Sequence, residues 1–256
     1  MDPLQTAAAI GSGVIVGFAL GLVGGGGSIL AVPLLLYVVG MQDPHLAIGT
    51  GAVAVAVNAF ANLVPHARER HVRWYPALVF AAAGLAGAFA GSSIGKAVDG
   101  RRLLILFALL MLFVAAMMLR GRKAASGPVG AERPVNLWRL SQIGLGVGSL
   151  SGFYGIGGGF LVVPGLILGT GMPTIAAIGS ALVAVGVFGA TTALNYAASG
   201  LVDWPVALLF ITGGIAGGWI GAHLAQRLSA QRQTLTRLLG CMLVLVSGYM
   251  LYRSLK

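Results

Sequence analysis

Charge is what this chain has least of. Asp, Glu, Lys and Arg together make up 9% of its 256 residues, against about a quarter in an ordinary soluble domain. The six acidic residues, Asp2, Asp43, Glu69, Asp99, Glu132 and Asp203, all fall at the terminus, in loops or at the ends of apolar runs. With no carboxylate in the middle of a run, a carboxylate proton relay of the kind used by pumps is not expected. Cysteine is nearly absent. Cys241 alone excludes an intrachain disulfide or a multi-cysteine relay, and in a late apolar run it reads as a small hydrophobe. There is no Walker loop and no zinc-binding His-Glu-x-x-His. ATP-driven transport by this chain alone is therefore not expected, an enzyme is not indicated, and neither metal nor cofactor is implied.

Apolar residues fill the space that charge leaves. They make up 57% of the chain, mean hydropathy is +0.92, and apolar runs long enough to cross a bilayer recur along its length. That pattern predicts an all-α polytopic membrane protein embedded in the lipid bilayer. A transmembrane β-barrel would instead show short alternating segments. The net charge of +10 does not point to nucleic acid, because the basic residues sit at the ends of apolar runs, where topology signals belong. Met1-Asp2-Pro3 lacks the basic n-region of a cleavable signal peptide, so none is expected.

Glycine is abundant, at 41 residues, and it is patterned. Gly-Leu-Val-Gly-Gly-Gly-Gly-Ser-Ile-Leu-Ala-Val-Pro runs from Gly21 to Pro33. Gly-Phe-Tyr-Gly-Ile-Gly-Gly-Gly-Phe-Leu-Val-Val-Pro runs from Gly152 to Pro164, 131 positions later. Gly13 and Gly17 match Gly144 and Gly148 at that same offset. At an offset of 130, Thr50 matches Ser180, Trp74 matches Trp204, and Gly84, Gly87 and Gly91 match Gly214, Gly217 and Gly221. The chain thus divides into two homologous halves, residues 1–120 and 140–256, joined by a polar linker at 121–139. Each half holds four long spans if the pieces on either side of its glycine cluster count as one broken element. Counted separately they give five segments per half, so eight to ten transmembrane segments are expected, with Gly-rich broken or hairpin helices.

Arginine placement bears on how the halves face. The loop before Trp74 carries Arg68, Arg70 and Arg73, whereas its counterpart before Trp204 carries no basic residue. Halves of like orientation would place these loops on one side of the membrane, so the contrast favours an inverted repeat with an odd number of crossings per half. That arrangement puts eleven basic residues inside and five outside; the parallel one gives ten and six. It also requires each glycine cluster to be a hairpin turn between two short arms.

Irregular backbone at membrane depth is tolerated only where protein buries it or where it lines a cavity. An arm starting near Ser28, or near Phe160, would offer free backbone N–H groups and the positive end of a helix dipole to an anion. The candidate substrate-binding residues are therefore Gly24, Gly25, Gly26, Gly27 and Ser28 in the first half, and Gly155, Gly157, Gly158 and Gly159 in the second. To these we add Thr50, Asn58, Asn62, Ser180, Thr191 and Asn195, the polar side chains of the segments that follow, with Thr192 beside them. Each has an alternative structural reading: glycines that let helices cross closely, and side chains that hydrogen-bond between helices. His66 and His223 read as interfacial.

The paired clusters, Gly49-Thr50 with Gly179-Ser180, Val72-Arg73-Trp74 with Val202-Asp203-Trp204, and the ending Gly221-Ala222-His223-Leu224-Ala225-Gln226-Arg227-Leu228 resemble the sulfite exporter TauE/SafE family. The resemblance extends from about Gly11 to Leu251. It implies a permease of the cell inner membrane for small anions, with sulfite and organosulfonates as the leading substrates. Since the membrane potential alone favours moving an anion outward, export by alternating access at a site between the two broken helices, with weak or no ion coupling, is expected. An anion channel and an ion-coupled uptake permease are the alternatives, and a homo-oligomer is left open. The sequence departs from the family pattern at His71, where a glycine is more usual, and at Pro65-His66 against Asn195-Tyr196.

Overall fold

The computed structural model describes residues 2–23, 25–119, 136–227 and 232–255. Among these residues it is all helical, with no strand. The first half contains α1 (Pro3–Val23), a 3-10 turn (Gly25–Leu30), α2 (Ala31–Tyr37), α3 (Pro44–Arg68), α4 (Trp74–Ala97) and α5 (Gly100–Leu119). The second contains α6 (Leu137–Tyr154), α7 (Gly159–Thr170), α8 (Thr174–Ala197), α9 (Trp204–Arg227) and α10 (Arg232–Leu255). Six described helices are long and apolar enough to cross a membrane, and the chain is a multi-pass membrane protein. Most of the linker, residues 121–135, lies outside the described residues; its last three positions already belong to α6.

Three of the carboxylates, Asp43, Asp99 and Asp203, sit at helix starts. Asp43 accepts the N–H of His45 at 2.8 Å ahead of Pro44, the first residue of α3. Asp99 accepts from Arg101 and Arg102 at the start of α5, and Asp203 accepts from Val206 at the start of α9. Each satisfies an N–H that the first turn leaves unbonded. Trp74 and Trp204 open α4 and α9 half-exposed, as interfacial aromatic anchors do.

The halves are cross-packed. Helix α1 lies along α9, and α6 lies along α4. Gly13, Gly17 and Gly21 meet, in order, the backbone carbonyls of Phe210, Gly214 and Gly218. Gly144, Gly148 and Gly152 meet those of Phe80, Gly84 and Ala88, the same contacts shifted by the repeat offsets. The ascending order on both sides means that each pair runs parallel. A Cβ at Gly144 would lie 2.7 Å from the Phe80 oxygen, so backbone touches backbone along both seams. Lipid supplies little hydrophobic drive for helix association, and close backbone approach is how small residues replace it.

The central pair is α3 and α8, equivalent helices from the two halves. Gly49 faces Leu201, Ala56 faces Gly189, Phe60 faces Gly186 and His71 faces Gly179. Here one number rises as the other falls, so α3 and α8 run antiparallel. The same holds for α5 and α10, where Arg101 at the start of one donates to the Ser254 carbonyl at the end of the other at 2.6 Å. Two matched hydrogen bonds tie the loops to this core. Thr50 Oγ1 accepts from the Asp203 N–H, and Ser180 Oγ from the Arg73 N–H, each at 2.9 Å.

Gly17→Leu and Gly148→Leu should each lower the unfolding temperature of the detergent-purified protein strongly. Forcing side chains into a filled contact costs about 1–3 kcal/mol or more. Gly11→Leu and Gly146→Leu on the same two helices face open space and should leave it nearly unchanged. Thr50→Val and Ser180→Ala should each cost about 1–3 kcal/mol by stranding a backbone N–H, read in the same thermal assay.

Candidate functional site

Two irregular turns converge on the α3–α8 pair. In the second half Gly155, Gly157 and Gly158 take left-handed backbone, with φ of 67°, 64° and 64°, where a side chain would be strained. Gly157 lies between Val55 of α3 and Val185 of α8; a Cβ there would be 2.9 Å from one Cγ1 and 3.1 Å from the other. Val55 and Val185 are equivalent residues at the 130 offset, so this glycine sits where the two halves meet. In the first half the 3-10 turn packs against α7, and Gly27 rests on the α1 backbone at Ala19 and Leu20. The two glycine clusters are thereby brought together. Gly24 lies outside the described residues.

The arms differ from the sequence expectation in two respects. Helix α1 has 21 residues and α6 has 18, or about 27–32 Å at 1.5 Å per residue, so the first arm of each hairpin is much longer than the second. Of the two, only α1 is among the helices long and apolar enough to cross a membrane. The first-half return arm also opens not on a free helix end at Ser28 but on a 3-10 turn from Gly25 to Leu30. Its α-helix begins at Ala31 and has seven residues. Leu30 keeps right-handed helical backbone, so the turn runs directly into α2 and the return arm extends from Gly25 to Tyr37. The second arm, α7, is longer at 12 residues, with Gly158 as its N-cap and Gly159 as its first residue.

The polar candidates separate into two groups. Thr50 and Ser180 use their oxygens on the loop N–H groups described above. Thr191 donates to the Val187 carbonyl at 2.8 Å within its own helix. Asn62 donates to the Asn58 carbonyl at 2.8 Å and lies against Gly218 of α9. Ser28 is fully buried. Asn58 is different. Midway along α3, 0% exposed, it has neither amide nitrogen nor amide oxygen hydrogen-bonded. Its amide presses on Gly214 of α9, which in turn touches Gly17 of α1. At the equivalent place in the other half, Phe188 presses its ring on Gly84. The two halves therefore share a backbone frame but present an amide on one side and an aromatic ring on the other. Thr192, equivalent to Asn62, also has its buried hydroxyl unpaired.

Other residues resolve into local roles. His223 is exposed, with its Nδ1 3.0 Å from the Trp219 carbonyl, as expected of an interfacial side chain. His66, in the last turn of α3, has Nδ1 3.0 Å from the Asn62 carbonyl. Gly91-Ser92-Ser93-Ile94-Gly95 spells the Gly-x-Ser-x-Gly pattern of a hydrolase, but it is uninterrupted α4 helix, and Ser93 donates to the Phe89 carbonyl at 2.9 Å. No group of three or more metal-ligating side chains occurs among the described residues. Sequence reasoning missed Lys96. At the end of α4 its ammonium donates to the Asn195 carbonyl, Asn195 Oδ1 and Ser199 Oγ at 2.9, 2.8 and 2.8 Å. Asn195 in turn donates to Ser92 Oγ at 2.6 Å and Ser93 Oγ at 3.0 Å. Lys96 and Asn195 are far apart in sequence, and only the offset alignment of α4 with α9 and α8 with α3 could have hinted that they share an end of the bundle.

Comparison with known proteins agrees with this architecture. The chain is 56% identical over 246 residues to a probable membrane transporter protein of Xylella fastidiosa (strain Temecula1), covering 96% of this chain and 94% of the relative. It is 25% identical over 264 residues to the probable membrane transporter protein YunE of Bacillus subtilis, with 95% and 96% covered. Against the probable membrane transporter protein MJ0441 of Methanocaldococcus jannaschii it is 26% identical over 252 residues, with 90% and 92% covered. No solved structure matches the chain. The family model described as sulfite exporter TauE/SafE matches residues 9–250, and with a seam-packed, duplicated helical core behind that match, the chain belongs to the TauE/SafE family of membrane transporters.

Proposed function

We propose that this protein exports a small oxyanion, sulfite or an organosulfonate, across the cell inner membrane by alternating access, with its two halves acting as an inverted repeat. The observation that carries the reading is Asn58, a buried amide midway along a membrane-length helix with no protein partner. Leaving such a group unpaired costs about 1–3 kcal/mol, and a ligand that uses it removes that cost. Its Nδ2 donor suits an oxyanion oxygen. The converging glycine turns, Gly155 to Gly158 above all, bring irregular backbone to the same α3–α8 core, as in transporters that bind substrate between broken helices.

The inverted arrangement is supported by the antiparallel run of α3 against α8 and of α5 against α10. It is supported further by the parallel seams that each pair the first helix of one half with the fourth of the other. Rocking α1 with α9 against α6 with α4 would open the core first to one side and then to the other. Outward movement of one negative charge through about 100 mV, negative inside, gains about 2.3 kcal/mol. Potential alone then suffices to drive export, and among the described residues no carboxylate lies in the α3–α8 core.

In proteoliposomes loaded with sulfite, the wild-type protein should give saturable efflux that follows an imposed potential and needs neither a sodium nor a proton gradient. Gly157→Val and Asn58→Leu should each reduce that efflux by at least about ten-fold, the loss of some 1.4 kcal/mol of binding or barrier, in protein that still elutes as a folded species. Normal efflux in both variants would remove the α3–α8 core from the mechanism.

A further inference from the structure

We infer that Lys96, with Asn195, Ser92, Ser93 and Ser199, forms a second oxyanion subsite at one mouth of the molecule, separate from the Asn58 core. The inference rests on the transport reading for its purpose but not for its chemistry. Lys96 is half-buried, and among the described residues no carboxylate lies within ion-pair distance of it. The nearest negative groups at this end of the bundle, Asp43, Asp99 and Asp203, have their oxygens on helix-start N–H groups. The ammonium charge is met by three neutral oxygens and by the face of the Tyr196 ring.

Those three acceptors are not equivalent. The Asn195 carbonyl is backbone and fixes the ammonium at the end of α8, where the helix dipole also favours a cation. Asn195 Oδ1 and Ser199 Oγ are side-chain atoms that can turn away. An arriving oxyanion would take their place, replacing hydrogen bonds from the ammonium to neutral oxygens with a charge-to-charge pair. Rotation of Asn195 would free its Nδ2 as a further donor to the anion, while the Ser92 and Ser93 hydroxyls keep their bonds to the Phe89 carbonyl at 3.0 and 2.9 Å. Ser93 and Ser199 are exposed, so an anion can reach the cluster from water. The tilted stack of His45 on Tyr196, ring centroids 6.4 Å apart, and the Lys96 ammonium 5.9 Å from the Tyr196 ring wall its inner side.

The other half does not repeat this cluster. At the 130 offset Lys96 corresponds to Gln226, Asn195 to Pro65, Ser199 to Glu69, Ser92 to Ala222 and Ser93 to His223. One mouth thus carries a lysine among an amide and hydroxyls, and the equivalent positions of the other carry an amide, a proline, a carboxylate, an alanine and an imidazole. A cationic mouth of this kind raises local anion concentration and capture rate, so the subsite acts on apparent affinity from one side of the membrane.

The alternative role for Lys96 is a strut that ties α4 to α8, and the experiment separates the two. Sulfite efflux and uptake are measured in proteoliposomes for the wild type, Lys96→Arg and Lys96→Gln, alongside sulfite-induced thermal stabilisation of each purified protein. Lys96→Gln should raise half-saturating sulfite by about ten-fold for transport starting from the Lys96 side, with the maximal rate from that side within about two-fold of wild type. Microscopic reversibility then lowers the ratio of maximal rate to half-saturation in the other direction by the same factor. The substitution should also flatten the dependence of half-saturation on ionic strength, and Lys96→Arg should restore both properties. Unchanged half-saturation in Lys96→Gln, or a fall in maximal rate alone, overturns the subsite while leaving the transporter reading intact. If the wild type binds sulfite in the thermal assay, and Lys96→Gln weakens that binding, but no flux is seen, the subsite stands and the transport reading falls. Absence of both binding and flux in the wild type overturns both.

Discussion

The structure depends on helix backbones touching without side chains between them. In lipid the apolar side chains of this chain gain little by leaving the solvent for one another, so packing and backbone approach must hold the halves together. Two seams do so. Each pairs the first helix of one half with the fourth of the other, and each is built from glycines that meet carbonyls one turn apart. Because the partners are exchanged between halves, neither half completes a seam alone, which gives the duplication a mechanical meaning beyond ancestry.

The same exchange shapes the core. With α1 held to α9 and α6 to α4, the equivalent helices α3 and α8 are left facing each other, and both glycine turns fold in toward them. A two-fold frame would present identical surfaces if the sequence were symmetric, and it is not. Asn58 stands opposite Gly214 where Phe188 stands opposite Gly84, and Lys96 stands where the other half has Gln226. Symmetry in the backbone supplies two related openings; asymmetry in a few side chains makes them chemically distinct.

Much of this was legible in the residues. The repeat offsets of 131 and 130 anticipated which helices are equivalent, and the matching of Thr50 with Ser180 emerged as matching hydrogen bonds to Asp203 and Arg73. Asp43, Asp99 and Asp203 fell at span ends because helix starts need acceptors there. What the sequence did not give was partner choice. A glycine every fourth residue announces that something comes close, yet it has no mark for whether that neighbour is α4 or α9. The Lys96 cluster was invisible for a related reason: its members are local in space only after the fourth and third helices of opposite halves have been brought together.

The central claim is that equivalent loops of the two halves lie on opposite sides of the membrane. Arg68 and Ala198 are equivalent exposed residues, at the ends of α3 and α8, and each can be replaced singly by cysteine in a Cys241→Ser background. Labelling with a membrane-impermeant maleimide, in intact cells and in inverted vesicles, reads out the side each occupies. The inverted frame predicts that one position is labelled only in cells and the other only in inverted vesicles. Labelling of both from the same side would contradict it.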